Sequence, residues 1–576
     1  MREPISCSSF VEWTPSVLGS LLSACTKRRS LNIGRSIHAN ILKGEGWCCR
    51  DLYVQNHLLN FYAKCKKMDL ARQVFNHMPR RNTVSWTALI SGYDQCGKCK
   101  KALELFSLMV SQDLASPPNQ FTYASALSAC TKQECLPQGM QLHSHALRRG
   151  FLTHVLVPNV LISSYMACSR VAEAELVFSE IFEPDQVSWN SLISGLAQNG
   201  FSQTALKRFQ RMILSEVRIT CFALSAAITA CLEDELDGKR HHGLAVKTGL
   251  DLNCFTGCAM VTMYSRFKNM DDAFKVFTEL DSEDVAVWNS LIEGYGGSNQ
   301  GERGLQILGA FMEFRLEPDE ITMTAILGIC TNLVMLDYGK QVHSLSVKNG
   351  LNSRIQVENS MIDMYSKCGS LEDGLKVFRF MKKRSLISWT AMMGGLAHHG
   401  RTNEVIQLFE EMKREGLKPN KVTYTCVLSA CNHGGLLDLG QGVYDSMEME
   451  PETEHLICMV HILAGARRFE EAEEFIEKSG SKFRELLWQA FLVTCKNSGE
   501  CERGVKVAEK IMEKGLRAEP LTLVLLSNVF AAAGRWEEVG KLREDMRERG
   551  MKKEPGCSWI EVDNVVQVYG MEKSII

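Results

Sequence analysis

Cysteine and histidine are the residues of this chain that could bind a metal or carry out redox chemistry. The chain has 22 cysteines, and the segment Cys96–Cys99 (CGKC) spaces two of them as a zinc-ligand pair would be spaced. A structural zinc site needs four ligands, so a single CxxC in a turn gives weak support for a metal. Other cysteines recur at fixed positions in phrases such as SAC and AKC, which is typical of small core residues. We therefore expect a protein without cofactor, metal site or disulfide framework.

Composition and charge describe a folded chain without a strong charge bias. Hydrophobic residues make up 45% and charged residues 23%, and the formal net charge is −2, which is ordinary for a globular protein. This total lacks an overall basic balance but permits a basic stripe on one face. No run of about 18 apolar residues occurs, so no membrane span or membrane partner is expected.

The amino terminus does not read as a clear targeting segment. The opening MREPISCSSFVEWT contains Glu3 and Glu12 and is short and acidic for a transit peptide. Either the targeting signal is cryptic or the amino terminus is incomplete.

Three phrases recur along the chain with a common period. Tryptophans at 86, 189, 288 and 389 and tyrosines at 62, 165, 264 and 365 are both separated by 103, 99 and 101 residues. A phrase ending in AC or IC recurs in the same phase, with cysteines at 25, 130, 231, 330 and 431. The period is therefore a triplet of units of roughly 31 to 37 residues, which indicates a solenoid.

Each unit has the pattern of two amphipathic helices. In the unit spanning 83–119, Leu89 and Ile90 are expected to face inward from the first helix, and a glycine-containing turn follows. The second helix has an apolar stripe at helical spacing, formed by Ala102, Leu105, Phe106 and Met109. One such hairpin cannot bury its apolar face alone, so neighbouring hairpins must stack to complete the core.

These phrases resemble the plant pentatricopeptide repeat (PPR) family in its PLS subclass, whose P, L and S repeats have about 35, 36 and 31 residues. The SWNSLISG phrases resemble P-type repeats, the LSAC phrases L-type repeats and the MYSKCG phrases S-type repeats. The resemblance covers nearly the entire chain and implies an all-α fold, a right-handed superhelical solenoid of stacked antiparallel helix-turn-helix repeats. The repeats are expected to start at Pro15, Leu52, Thr83, Gln120, Val155, Gln186, Cys221, Cys254, Val285, Glu320, Ile355, Leu386 and Lys421, with a divergent one near Leu456.

The resemblance also implies an organisation into four segments. These are a short lead (1–14), about 14 tandem repeats (15–485), two PPR-like E motifs (486–556) and a partial E+ extension (557–576). A carboxy-terminal DYW deaminase domain is not expected, because zinc deaminases need H-x-E with a later C-x-x-C. No histidine of the chain is followed two residues on by glutamate, and we predict that the chain is not an enzyme.

In the PPR family each repeat binds one RNA base through its fifth and last residues, here called the reading pair. Short polar side chains suit this task, since single-stranded bases expose their Watson–Crick edges. Two pairs resemble adenine readers (Thr87 with Asn119, Thr390 with Asn420), two uracil readers (Asn159 with Asp185, Asn289 with Asp319) and one a cytosine reader (Asn359 with Ser385). Two more resemble pyrimidine readers (Asn56 with Asn82, Asn190 with Thr220), and Ser225 with Asn253 resembles an L-type adenine reader. The implied footprint is 5′-N-Y-A-N-U-Y-A-N-U-N-C-A-N-N-N-N-N-C, with the last C edited.

The second residue of each repeat is usually apolar in this family and sandwiches the base. We call these residues the sandwich residues, and they are expected at Val84, Phe121, Val187, Ile321 and Ile387. The tryptophans of the SW phrases are interpreted as packing residues, and RNA phosphates would lie along basic groups.

The resemblance predicts a sequence-specific single-stranded RNA-binding protein of organelles that acts as a specificity factor for C-to-U editing. It would recruit a DYW-type deaminase in trans and bind small editing-complex proteins through its L-type repeats, in mitochondria or alternatively in chloroplasts. One alternative is an organellar splicing, stability or translation factor. The other, from a different class, is a protein-binding helical-repeat scaffold.

Overall fold

The computed structural model describes most of the chain, which divides into two compact units, residues 1–282 and 283–576. The described residues are 14–43, 50–112, 116–131, 136–232, 234–280, 283–298, 300–480, 483–513, 520–548, 557–562 and 565–570. The predicted lead (1–14) lies outside them except for its last residue.

The first unit contains helices α1 to α16, arranged as hairpins of a first (odd-numbered) and a second (even-numbered) helix. They are α1 Pro15–Arg28, α2 Leu31–Lys43, α3 Leu52–Lys64, α4 Met68–His77, α5 Thr83–Gln95, α6 Cys99–Gln112, α7 Gln120–Ser128, α8 Leu136–Arg148, α9 Leu156–Ala167, α10 Val171–Ser179, α11 Gln186–Gln198, α12 Ser202–Leu214, α13 Cys221–Ala230, α14 Glu235–Thr248, α15 Cys254–Arg266 and α16 Met270–Leu280. Short 3-10 turns at Ala129–Thr131 and Phe151–Thr153 join helices of this unit.

The second unit continues with α17 to α32 and ends in two strands. Its helices are α17 Val285–Gly297, α18 Gly301–Glu313, α19 Glu320–Leu333, α20 Leu336–Lys348, α21 Ile355–Lys367, α22 Leu371–Phe380, α23 Leu386–His398, α24 Thr402–Arg414, α25 Lys421–Gly434, α26 Leu437–Asp445, α27 Thr453–Gly465, α28 Phe469–Lys478, α29 Arg484–Asn497, α30 Cys501–Glu513, α31 Pro520–Ala532 and α32 Trp536–Glu548. Strands β1 Cys557–Val562 and β2 Val565–Gly570 pair antiparallel, with Cys557 opposite Gly570.

Stacking of the first helices builds both units. Each first helix contacts the next first helix along the chain, from α1 through α15 in one unit and from α17 through α31 in the other. Each also contacts its own second helix, so every hairpin completes the core of its neighbours. The prediction of an all-α stack of helical hairpins is confirmed, and the two strands are an addition that the sequence analysis did not foresee.

The predicted repeat starts coincide with helix starts. From Pro15 to Lys421 each predicted start is the first residue of a first helix, except that α9 begins one residue after Val155. The divergent repeat placed near Leu456 begins three residues earlier, because Glu452 and His455 form a capping box at the start of α27. Capping side chains satisfy backbone N–H groups that lack partners within the helix, so they fix where each first helix begins.

Glycine allows the sharp reversal within several hairpins. Gly200 follows α11 with a φ of 81°, and Gly400 follows α23 with a φ of 68°. This left-handed region costs glycine little because it has no Cβ. The second helix can therefore fold back directly onto the first.

The predicted inward and packing residues are buried. Leu89, Ile90 and the stripe of the following helix are all buried, which confirms the predicted faces. The tryptophans of the SW phrases are buried as well, which confirms their interpretation as packing residues. Trp86, for example, packs edge-to-face on Phe75 of α4 at a centroid distance of 4.8 Å, a favoured aromatic geometry.

The cysteines of the AC and IC phrases belong to the core, as predicted. Those at 25, 130, 231, 330 and 431 are all buried. The cysteines of the AKC phrases lie at the carboxyl ends of first helices, where Cys168 is buried and Cys65 is half-buried. Their role is packing at a helix end rather than in the middle of the core.

One core cluster runs without a break through the last six helices. It extends from Leu456 of α27 to Leu542 of α32. The predicted boundary between repeats and E motifs at residues 485 and 486 is therefore no packing boundary. Within the described residues, no helix is both long and apolar enough to cross a membrane.

Candidate nucleic-acid interface

The last residue of each reading pair lies at the amino end of the following first helix. In seven of these pairs the last residue is an N-cap whose side chain accepts a hydrogen bond from a backbone N–H of the first turn: Asn82, Asn119, Asp185, Thr220, Asp319, Ser385 and Asn420. The fifth residue lies in the second turn of the preceding first helix. Stacking of the first helices thus places the two members of each pair, which come from neighbouring hairpins, side by side near the amino ends of these helices.

The two uracil-type pairs are joined by direct side-chain hydrogen bonds. The amide N–H of Asn159 donates to Asp185 Oδ1 at 3.1 Å, and that of Asn289 donates to Asp319 Oδ1 at 3.0 Å. Asn159 is 7% and Asn289 3% exposed. Each asparagine amide is therefore buried between the stacked helices, and its aspartate partner lies nearer the surface.

A hydroxyl from the following helix completes each of these clusters. Ser188 donates to Asn159 Oδ1 at 2.6 Å, and Thr322 donates to Asn289 Oδ1 at 2.8 Å. Both hydroxyls also belong to the capping box of their own helix. The same arrangement occurs where Ser85 donates to Asn56 Oδ1 at 2.6 Å.

Hydrogen bonding keeps the two aspartates ionised. Burial by itself would raise the pKa of Asp185, but the backbone N–H and hydroxyl of Ser188 and the amide of Asn159 together lower it. The pKa of Asp319 is lowered in the same way, against the effect of burial, by Thr322 and Asn289. An ionised carboxylate only accepts hydrogen bonds, so each cluster presents an acceptor next to a held amide.

The remaining reading pairs differ in how closely the structure joins their members. Amide–amide bonding joins Asn56 to Asn82 at 3.2 Å, and the Thr220 hydroxyl donates to Asn190 at 2.7 Å. Other pairs are not joined directly. They are Thr87 with Asn119, Thr390 with Asn420 and Asn359 with Ser385. In the first of these pairs, the Thr87 hydroxyl and Asn119 Oδ1 both bond the Thr122 hydroxyl, which links them indirectly.

Asn359 differs from the other reading asparagines. Its Oδ1 atom is buried and has no hydrogen-bond partner. Ser388, the residue equivalent to Ser188, instead bonds its own cap residue Ser385. The acceptor of Asn359 is therefore left without a donor, whereas Asn159 and Asn289 have one.

The five sandwich residues are exposed apolar side chains, three of them in the first unit and two in the second. Val84, Phe121, Val187, Ile321 and Ile387 are between 49% and 65% exposed, although they lie in the first turn of otherwise well-packed helices. The set is larger than predicted, because Tyr53, Phe222, Phe255 and Val422 occupy the same second position and are also exposed. Counting two residues from every helix start would have found them.

The thirteenth hairpin contains a pair that the sequence analysis left unassigned. Thr425, the fifth residue of α25, lies 3.3 Å from His455 Nε2, and His455 caps α27 together with Glu452. The capping signal in the sequence is weak here, since histidine replaces the usual serine or threonine of the capping box. The pair Thr425 with Glu452 thus continues the series by one hairpin.

Exposed cations are concentrated at three turns of the first unit, which we call the basic turns. They lie between the two helices of the first three hairpins and contain Lys27, Arg28 and Arg29; Lys64, Lys66 and Lys67; and Lys98, Lys100 and Lys101. None of them takes part in an ion pair within the described part of the chain, whereas Arg401 and Arg535 in later turns pair with glutamates. The basic turns are thus available to an anionic ligand.

No metal centre is assembled by the described residues. Among them, no group of three or more cysteine, histidine, aspartate or glutamate side chains could hold an ion. Cys96 and Cys99 of the CxxC are free thiols, and Cys99 is buried.

Fold and site together define an α-helical repeat protein with one polar pair and one exposed apolar residue on most hairpins. Models described as PPR repeat match 56–83, 187–217, 258–285, 359–386 and 422–450, and models described as PPR repeat family match 81–132 and 384–433. The E motif model matches 499–561.

Curated relatives extend over nearly the whole chain. The Arabidopsis thaliana pentatricopeptide repeat-containing protein At2g33680 is 34% identical over 561 residues, which covers 96% of this chain and 76% of the relative. The Arabidopsis thaliana pentatricopeptide repeat-containing protein At3g53360, mitochondrial, is 31% identical over a match that covers 96% of this chain and 86% of the relative. Other relatives are named mitochondrial or chloroplastic. The chain therefore belongs to the pentatricopeptide repeat family.

Among solved structures, the chain is similar to that of the pentatricopeptide repeat protein PPR10 in complex with an 18-nucleotide psaJ RNA element. It is 19% identical, covers 93% of this chain and 80% of the PPR10 chain, and has a TM-score of 0.46. The prediction that the chain is not an enzyme agrees with its family, because the matched models describe repeats and the E motif.

Proposed function

We propose that this protein binds single-stranded RNA in a plant organelle and selects the site of a C-to-U editing reaction. The observation that carries the proposal is the recurrence, on most hairpins, of a polar pair beside an exposed apolar side chain. Bases can stack between apolar side chains while their edges meet polar groups. This arrangement offers both kinds of contact at intervals of one hairpin.

The uracil-type clusters match the hydrogen-bonding pattern of their proposed base. The Asn159 amide has one N–H bonded to Asp185 and a second N–H that can donate to a uracil carbonyl. The carboxylate is an acceptor for the uracil N3–H group. A cytosine in the same position would place its amino group against the Asn159 N–H, and two hydrogen-bond donors would then face each other.

Electrostatics support a polyanionic ligand at the amino-terminal end. The basic turns contribute nine exposed cations without ion-pair partners among the described residues. Phosphate contacts of this kind provide affinity that is independent of sequence and sensitive to salt. They would hold the 5′ part of the RNA while the reading pairs select the bases.

Editing itself is the part of the proposal that rests on family membership. The E motif match near the carboxyl end is the feature that favours editing over splicing or stabilisation. The DYW-type deaminase would act in trans, and small editing-complex proteins would bind the L-type hairpins. The organelle is proposed to be the mitochondrion, with the chloroplast as the alternative, since relatives carry either word in their names.

Selection from a randomised single-stranded RNA pool with the purified full chain tests base recognition. Uracil is expected at nucleotides 5 and 9 of the footprint, and adenine at nucleotides 3 and 12. Asn159→Ala should abolish the preference at nucleotide 5 alone. Gln210→Ala, an exposed substitution on the second helix α12, should leave the selected sequence unchanged.

Two outcomes would overturn different parts of the proposal. If a folded protein enriches no single-stranded sequence, RNA recognition is wrong and the protein-scaffold alternative takes its place. Editing is tested by sequencing organellar RNA from plants that lack the protein. Loss of conversion at a cytidine four nucleotides beyond the base matched by the fourteenth repeat supports the role, and unchanged editing at every site refutes it.

A further inference from the structure

Three buried hydroxyls contact the reading pairs without belonging to them. Ser85, Ser188 and Thr322 are each the third residue of their repeat. Each donates to the Oδ1 atom of the asparagine in the preceding hairpin, at 2.6, 2.6 and 2.8 Å. All three side chains are buried, so solvent does not replace this contact easily.

We infer that the third-residue hydroxyl is a positioning residue for base choice by the preceding repeat. In the cluster around Asn289, the Asp319 Oδ1 atom already accepts from the Thr322 N–H at 2.9 Å and from the asparagine amide at 3.0 Å. The Thr322 hydroxyl lies 2.8 Å from Asn289 Oδ1 and 2.9 Å from Asp319 Oδ1, and we assign its proton to the amide oxygen because the carboxylate oxygen already accepts two hydrogen bonds. Both atoms of the amide are then held, and its remaining N–H is the group directed to the RNA.

Holding the amide decides between uracil and cytosine. A fixed N–H donor matches a uracil carbonyl and opposes a cytosine amino group. Without the hydroxyl, Asn289 Oδ1 would be a buried acceptor with no donor, which is unfavourable. The side chain would then be free to turn outward when RNA binds, and its oxygen would accept from the cytosine amino group.

Asn359 shows the contrasting arrangement within the same protein. Ser388 bonds its own cap instead of reaching Asn359, whose Oδ1 atom is buried and unbonded. Because no donor holds that oxygen inside the protein, the Asn359 side chain can turn and offer it to a cytosine amino group, in agreement with the cytosine assignment of this pair. The contact of the third residue thus separates the uracil-type asparagines from the cytosine-type one.

This inference rests on the proposed RNA recognition, and Thr322→Val in the full chain tests it. The substitution removes the hydroxyl and keeps the shape of the side chain. The matched control is Thr423→Val, because Thr423 forms the same capping box with Asn420 and is buried to the same extent. Unlike Thr322, it makes no bond with the fifth residue of the preceding repeat, Thr390.

Affinities for RNAs that differ only at nucleotide 9 provide the readout. Thr322→Val should lower the uracil-to-cytosine affinity ratio at nucleotide 9 by about tenfold, the effect of one buried hydrogen bond. Thr322→Ser, which restores the hydroxyl, should recover the ratio. Thr423→Val should lower the melting temperature by a similar amount as Thr322→Val while leaving base preference at nucleotide 9 unchanged.

The outcomes separate this inference from the proposed function. If the unmodified protein shows no uracil preference at nucleotide 9, the proposed recognition is wrong. If it prefers uracil and Thr322→Val keeps the full ratio, the hydroxyl only caps the helix and the inference is overturned. An equal fall in affinity for both RNAs has the same meaning.

Discussion

Asn420→Asp should change the preferred base at nucleotide 12 from adenine to guanine. Asn420 Oδ1 accepts from the Thr423 backbone N–H at 2.9 Å and from its hydroxyl at 2.8 Å. The oxygen is therefore used inside the capping box, and the amide nitrogen faces outward as a donor. Adenine presents an acceptor at N1, whereas guanine presents an N–H there. Aspartate replaces the outward donor by an acceptor and thereby favours guanine.

The structure also indicates how large the change should be. Aspartate and asparagine cap helices about equally well, so the free energy of unfolding should change by less than about 0.5 kcal/mol. A matched polar contact to a base edge discriminates by about 1–3 kcal/mol. This corresponds to about a 5- to 140-fold change in the adenine-to-guanine affinity ratio.

Fluorescence anisotropy with two labelled RNAs that differ only at nucleotide 12 measures this ratio. Asn119→Asp is the matched control, because Asn119 caps α7 through the same box with Thr122 and belongs to the same type of pair. It should change the preference at nucleotide 3 and leave nucleotide 12 unaffected. An unchanged ratio at nucleotide 12, with intact folding and RNA affinity, would refute the assignment of this pair.

Three further predictions concern packing, protonation and charge. Gly195→Ala should lower the free energy of unfolding by about 1–3 kcal/mol, because its Cβ would lie 2.3 Å from Met166 Cγ; Gly243→Ala, where a Cβ meets nothing within 4 Å, should not, as urea titration can check. Burial lowers the pKa of His143, whose Nδ1 atom lies 2.9 Å from the Tyr165 hydroxyl. Since histidine in the unfolded chain has a pKa of about 6.5, the free energy of unfolding should fall as the pH drops below that value. Thermal melts at several pH values should show that His143→Gln weakens this dependence. Replacing the three lysines of the second basic turn by alanine should reduce the slope of log affinity against log salt by up to about 2, and an unchanged slope would place the phosphates elsewhere.

The sequence alone determined the repeating architecture. The positions of the tryptophans, tyrosines and small residues repeat with one period, and this local pattern fixes which side of each helix is buried. Leu89 and Met109, for example, are buried as their spacing predicts. Helix starts were equally predictable, since serine, threonine, asparagine and aspartate cap helices through bonds within about three residues. The start of α27 was missed because histidine takes part in its capping box.

The composition of the reading clusters was decided only by the tertiary structure. The bond from Ser188 to Asn159 joins residues 29 apart, and that from Thr322 to Asn289 joins residues 33 apart. Such contacts depend on how one first helix stacks on the next, which the pattern within a single repeat does not specify. Stacking likewise leaves Val84 and Ile387 exposed while it buries their neighbours. The sequence thus set the residue types at each position, and the packing between hairpins determined which of them meet.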